Sequence, residues 1–162
     1  MKTFGIAGWS GSGKTTLLVR LVPVLVRRGV EVATIKHTHH VPAIGTPETR
    51  ALAEAGAVEV MVASPLRCAL VHELQGGGEL VLGDVDSRLH GIDLLLVEGF
   101  KFGAHPKLEV WDPGLGKPML APEHPSVVAI ATDDAACDPH GRPAFARGDV
   151  EAIADFILSY RA

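Results

Sequence analysis

Eight residues near the start of the chain, Gly8-Trp9-Ser10-Gly11-Ser12-Gly13-Lys14-Thr15, have the spacing G-x-x-x-x-G-K-[ST]. Residues of these types in this order do phosphate chemistry. The glycines let the backbone curl so that successive N–H groups point inward at phosphate oxygens. A helix starting at the end of the run adds the partial positive charge of its N-terminus. Ser10, Gly11, Ser12, Gly13, Lys14 and Thr15 are therefore the candidate nucleotide-binding residues. Lys14 is expected to reach the β- and γ-phosphates, and Thr15 to offer its hydroxyl to Mg²⁺. The metal also needs a carboxylate at the C-terminal end of a neighbouring buried strand. Ile92-Asp93-Leu94-Leu95-Leu96-Val97-Glu98-Gly99 supplies Glu98 there, while Asp93 falls at the opposite end as a strand-edge or capping group. Lys14 and Glu98 are the candidate catalytic residues, and Thr15 and Glu98 the candidate Mg²⁺ ligands.

Lys36-His37-Thr38-His39-His40 is a second cluster, at the end of another strand pattern. Such strand ends are where α/β sheets place ligands. Imidazoles with Lys36 suit an anion, a Zn or Ni ion, or simply a polar surface loop. Ala131-Thr132-Asp133-Asp134 follows a later strand pattern. Thr132 and Asp133 there either read a guanine base or form an ordinary polar turn. The usual guanine reader, Asn-Lys-x-Asp, is absent. Arg67 is a ligand contact or a solvated strand residue.

These side chains need strands that end and helices that start at one place. Thr3–Ala7 reads as a strand leading into the Gly-rich turn. A helix follows over Lys14–Arg28, with Leu17, Leu18, Leu21, Val22, Leu25 and Val26 on one side, Pro23 within it and Gly29 ending it. Glu31–Lys36 is the next strand. Thr46 and Pro47 have N-cap and first-turn character for a helix stopping at Gly56. Val58–Ala63 and Cys68–Val71 read as strands, with Gly76-Gly77-Gly78 as a hairpin tip. Ile92–Val97 has the near-continuous apolar character of a strand buried on both faces. Leu108–Trp111 and Val127–Ala131 follow, and Asp149 caps a final helix from Val150 to about Tyr160. Strands alternating with helices predict an α/β fold with a mainly parallel central sheet. Strand after strand without a helix in the middle predicts an antiparallel extension at one edge.

The chain has 162 residues, 47% of them hydrophobic and 21% charged, which fits one domain, 1–162, and excludes a disordered tail. Its net charge of −4 argues against a broad nucleic-acid-binding face. Cys68 and Cys137 form no CxxC pair, fit a reducing compartment and read as small buried hydrophobes. No long uncharged apolar run is present, so neither a signal peptide nor a membrane span is expected, and the expected location is cytoplasmic.

Taken together, these segments resemble the molybdopterin-guanine dinucleotide biosynthesis protein B family. The resemblance rests on the phosphate loop with Thr15-Thr16-Leu17-Leu18, on Ile35-Lys36-His37-Thr38-His39-His40, and on Ala55-Gly56-Ala57. Val62-Ala63-Ser64 with Arg67, and Asp93-Leu94-Leu95-Leu96-Val97-Glu98-Gly99-Phe100-Lys101, complete it. It implies a P-loop NTPase three-layer fold and a small, homodimeric, GTP-binding protein with weak GTPase activity. Such a protein acts as an adapter for the molybdenum-cofactor guanylyltransferase and other cofactor-assembly proteins, with GTP and Mg²⁺ as cofactors and molybdopterin as a bound ligand. It adds Thr16 to the nucleotide site. It makes Lys36, His37, His39, His40, Arg67 and Lys101 candidates for anion or cofactor binding. The segment Val41–Thr49 departs from the family, being shorter and poor in Asp, with Glu48 and Thr49 standing in for the usual acid and Ser. The competing reading is a nucleotide-dependent metallochaperone carrying Ni or Zn on His37, His39 and His40. A small-molecule kinase is disfavoured because no Arg-rich lid is present.

Overall fold

The computed structural model describes residues 1–37, 47–72 and 89–161, the Glu48 side chain excepted. The expectations for His39, His40, the 41–46 segment with its Thr46 cap, the Glu48 side chain and the glycines at 76–78 lie outside the described residues. Two compact units are present, Met1–His37 with Gly91–Ala162, and Thr38–His90.

The first unit is built on a six-stranded sheet, and every pairing in it is parallel. Its strands are β1 (Lys2–Ala7), β2 (Val32–Lys36), β5 (Leu94–Glu98), β6 (Lys107–Val110), β7 (Val127–Ala131) and β8 (Ala144–Phe145), in the order β2-β5-β1-β6-β7-β8. β1, flanked by β5 and β6, is the strand that enters the Gly-rich turn. The five residues of β5 are all buried, as a parallel strand covered on both faces requires. Alternation along the strands sends Phe4, Ile6, Leu94, Leu96, Leu108, Val110, Ala129 and Ala131 to one face. There they meet Leu17, Leu18, Leu21, Val24 and Leu25 of α1 (Lys14–Arg27) and Ile153, Ala154 and Ile157 of α3 (Val150–Ser159). Burying each of these aliphatic side chains contributes about 1.5–3 kcal/mol. Asp149 caps α3 by accepting from the Ala152 amide at 3.2 Å. α1 differs from its expected face: Val24 is buried and Val26 is 56% exposed. Pro23 lies inside α1 without ending it, and Gly29 turns the chain beyond it at φ +78°. The opposite face carries Ala7 and Ile130, covered by Leu120 and Ala121 from the 111–121 segment. Asp93 accepts from the Glu31 amide at 3.0 Å, the capping role its position implied.

The second unit contains α2 (Pro47–Glu54), β3 (Glu59–Ala63) and β4 (Cys68–His72). β3 and β4 pair antiparallel as a two-stranded sheet, the antiparallel element that the sequence predicts in addition to the mainly parallel one. Ser64 closes their turn, since its amide and its hydroxyl both donate to the Arg67 carbonyl. Cys68 corrects the sequence reading. It is exposed on β4, and Cys137 is only half-buried, because both sit where their strand or loop meets solvent.

Candidate functional site

The loop between β1 and α1 has the curled backbone that its glycines foretell. Gly8, Gly11 and Gly13 take φ values of +138°, +85° and +96°. A Cβ built on Gly8 would lie 2.4 Å from the Val110 carbonyl oxygen and 2.8 Å from Ser12 Oγ, so no other residue fits there. Gly13 is the N-cap of α1, and no acidic residue lies in the first turn to compete for an anion. Ser12 is buried and its Oγ has no hydrogen-bond partner. An orphaned hydroxyl of this kind inside a loop of inward-facing amides suits an absent ligand oxygen.

Lys14 Nζ donates to the Trp9 carbonyl at 2.8 Å, folded back over the loop. Burial holds its pKa below the usual lysine value; the Glu98 charge opposes that shift, and Lys101 and Lys36 add to it. At the start of α1, Thr15 Oγ1 donates to Glu98 Oε1 at 2.8 Å. Lys36 at the end of β2 donates to the same hydroxyl at 3.2 Å and stands 3.2 Å from the same carboxylate oxygen. The register explains the meeting: Lys36 pairs with Glu98 across β2 and β5, and Ile6 pairs with Glu98 across β1 and β5. Three strands thus end together beside the phosphate loop. A hard divalent cation prefers this pairing of a hydroxyl and a carboxylate oxygen. Thr15 and Glu98 fit Mg²⁺ in donor chemistry. From these residues an apolar groove of about 420 Å³ runs along α1 and β2, lined by Leu18, Val19, Val22, Pro23 and Ile35.

Gly99, Phe100 and Lys101 form the turn after Glu98. Phe100 holds φ +44°, and its ring lies 4.4 Å from that of His37. The His37 amide donates to the Glu98 carbonyl at 2.9 Å, continuing β2 alongside β5. Lys101 Nζ sits 4.1 Å from the centre of the Trp9 ring. Lys117 approaches the same ring at 5.9 Å. Trp9 is in turn fixed by its indole N–H, which donates to the Pro118 carbonyl at 2.7 Å. Trp9 occupies a free position of the motif, and the sequence reading gave it no role. A large aromatic beside the glycines of a phosphate loop was the available signal.

On the other side of the loop, Thr132 is buried, and its hydroxyl accepts from the Asp134 amide at 3.2 Å. Asp133 is not free-standing: it accepts from the Arg147 amide at 2.9 Å and from Arg147 Nε at 2.8 Å. Those hydrogen bonds hold its carboxyl below the usual aspartate value. Arg147 Nη1 also reaches Asp112 Oδ2 at 3.2 Å. Arg147 escaped the sequence reading because β8, at two residues, is too short to give a periodic signal, and Asp112, just past β6, belongs to no motif.

The site therefore gathers Ser10 to Thr16, Lys36, His37, Glu98, Lys101, Thr132 and Asp133 within one unit. Arg67 lies in the other unit, in the turn between β3 and β4. Among the described residues, no three His, Cys, Asp or Glu side chains gather as a metal-binding group.

Residues 3–133 match the family model described as molybdopterin guanine dinucleotide synthesis protein B. The chain belongs to this family. It is 37% identical over 166 residues to the molybdopterin-guanine dinucleotide biosynthesis adapter protein of Escherichia coli (strain K12), covering 95% of this chain and 90% of that protein. It is 40% identical over 135 residues to the adapter protein of the same name from Haemophilus influenzae, covering 80% and 73%. A crystal structure of molybdopterin-guanine biosynthesis protein B superposes with a TM-score of 0.76 at 29% identity, over 97% of this chain and 98% of that one. The Bacillus subtilis member superposes with a TM-score of 0.77 at 23% identity, over 98% and 97%, a likeness of fold. These solved structures share the α/β fold of this chain.

Proposed function

We propose that this chain is an adapter in molybdopterin-guanine dinucleotide biosynthesis that works by binding GTP with Mg²⁺. The adapter role follows from the family. The single observation that supports the nucleotide reading is the phosphate loop itself, with the unpartnered Ser12 hydroxyl inside it and Lys14, Thr15 and Glu98 around it. The amides of residues 10–16 and Ser12 Oγ receive phosphate oxygens. Lys14 swings from the Trp9 carbonyl onto the β- and γ-phosphates, and Lys36 and Lys101 add positive charge at the same end. Thr15 and Glu98 hold the metal, which supplies charge neutralisation at the triphosphate. Molybdopterin is the second ligand, and Lys36, His37 and Lys101 are its proposed contacts within the first unit. A molybdenum-cofactor guanylyltransferase is the partner. The protein acts as a homodimer in the cytoplasm. The β3–β4 hairpin supports self-association, since Met61 and Leu66 stand 65% and 93% exposed in an isolated chain.

Calorimetric titration with GTP and Mg²⁺ tests the reading, with Lys14→Ala as the control. Binding by the wild type that is lost in the variant is the expected result. Equal affinity in both proteins refutes the phosphate-loop assignment. No observation favours the metallochaperone.

A further inference from the structure

Three strand ends converge beside the phosphate loop from the side away from Glu98. Asp112, Asp133 and Arg147 each lie two residues beyond β6, β7 and β8 respectively. The Arg147 guanidinium joins them. Its Nε bonds Asp133, and its Nη1 lies 3.2 Å from Asp112 and 3.4 Å from the Ser12 carbonyl. A Cβ built on Gly13 would sit 3.9 Å from the same Nη1. One side chain therefore ties Asp133 to the loop that seats the phosphates.

We propose that Arg147 is a specificity-determining residue that, with Asp133, selects guanine over adenine at this site. The proposal rests on the nucleotide reading above and deepens it. The usual guanine reader places a lysine and an aspartate at one strand end. Here Thr132-Asp133-Asp134 has the acid without the lysine. Arg147 supplies the cation from the neighbouring strand, with β7 and β8 in parallel register at Ala131 and Phe145. Each Asp133 oxygen accepts one Arg147 N–H, and an ionised carboxylate has about four acceptor positions in all. The remaining positions suit the adjacent N1–H and amino donors of guanine. Adenine offers one amino group beside an unprotonated ring nitrogen, which a carboxylate repels. Arg147 fixes the direction of that carboxylate relative to the phosphates.

Holding the backbone in place does not require the Arg147 side chain. The Arg147 amide already bonds Asp133, Arg20 donates to the Gly148 carbonyl at 3.0 Å, and the Asp149 amide donates to the Ala146 carbonyl at 3.0 Å. The side chain is 31% exposed, at the surface where a base can approach.

The test measures dissociation constants for GTP, ATP and xanthosine triphosphate with Mg²⁺ in the wild type, Arg147→Ala and Asp133→Asn. Wild type is expected to prefer GTP. Arg147→Ala should weaken GTP about tenfold or more while ATP is unchanged, the size of one two-point base contact. Asp133→Asn should move the preference toward xanthosine triphosphate, whose ring presents a carbonyl where guanine presents an amino group. If Arg147→Ala weakens GTP and ATP equally, or the wild type binds both alike, nucleotide binding stands and the base-reading assignment is overturned. If the wild type binds no triphosphate, the nucleotide reading fails and this inference with it.

Discussion

Glu109 lies fully buried on β6, beside the phosphate-loop strand, with Ala7 as its register partner. Its two carboxylate oxygens accept from the Leu120 amide at 2.7 Å and the Ala121 amide at 2.9 Å. Burial pushes its carboxyl above the usual glutamate value, while those two amides and the charges of Arg142 and His124 pull it back. Glu109→Gln keeps the shape and removes one acceptor. The new amide N–H₂ then faces a backbone N–H, so two donors meet in a buried site. Losing a charge-assisted bond costs about 1.5–3 kcal/mol, and stranding a buried donor costs about 1–3 kcal/mol. Their overlap gives a loss of about 3 kcal/mol, which lowers the melting temperature by roughly 6–12 °C for a chain of this size. The damage should extend to the site, since the anchored segment carries the Pro118 carbonyl that holds Trp9 and the Asp112 carboxylate that meets Arg147. Urea unfolding at pH 7, followed by circular dichroism and by tryptophan emission, measures both effects. A Gln variant within about 0.5 kcal/mol of wild type, inside the range of ordinary surface substitutions, refutes the assignment of Glu109 as the clamp.

His105 gives a pH signature. Burial, aided by the Lys107 charge, lowers its pKa from 6.5 to about 4. The unfolded chain therefore binds the proton more readily, and stability is lost as pH falls from 6.5 toward 4, by about 1–2 kcal/mol once solvent screening of the half-buried ring is allowed for. Denaturation of wild type and His105→Asn at pH 7 and pH 4.5 checks this; an equal acid loss in both argues against it. Gly5→Ala should destabilise by about 1–3 kcal/mol through overpacking, because the added Cβ would lie 2.7 Å from His105 Nε2 and 2.8 Å from Lys107 Cβ. Unchanged thermal stability would mean that both neighbours yield freely. In a Trp111→Phe background, GTP with Mg²⁺ should change the emission of Trp9 as Lys101 leaves its ring for the triphosphate. Lys101→Ala should remove that change, and a full response in the variant would separate Lys101 from the ligand.

The chemistry-bearing segments were legible because each is short, local and governed by backbone rules. A glycine pattern that only a phosphate loop needs, an apolar strand ending in Glu98, and an Asp149 cap before an apolar helix specify their own structures. The same locality fixed β1, α1 and β5 to within a residue or two, and the family resemblance followed from motifs on those elements. Properties that depend on what packs against a residue were not legible. Val24 and Val26 exchange their expected places because the burial of an α1 side chain depends on where α3 and the sheet lie. Cys68 is exposed for the same kind of reason.

The sequence by itself therefore determined the phosphate loop, the acid that faces it, the alternating α/β pattern and the family. Only the tertiary structure brought Lys36 to Glu98, Lys101 to Trp9, and Arg147 to Asp133 and Ser12, across separations of 14 to 135 residues in the chain. Sheet order decides those meetings. Parallel neighbours such as β2 and β5 align the ends of strands that the sequence keeps far apart, and no local propensity encodes which strand lies beside which.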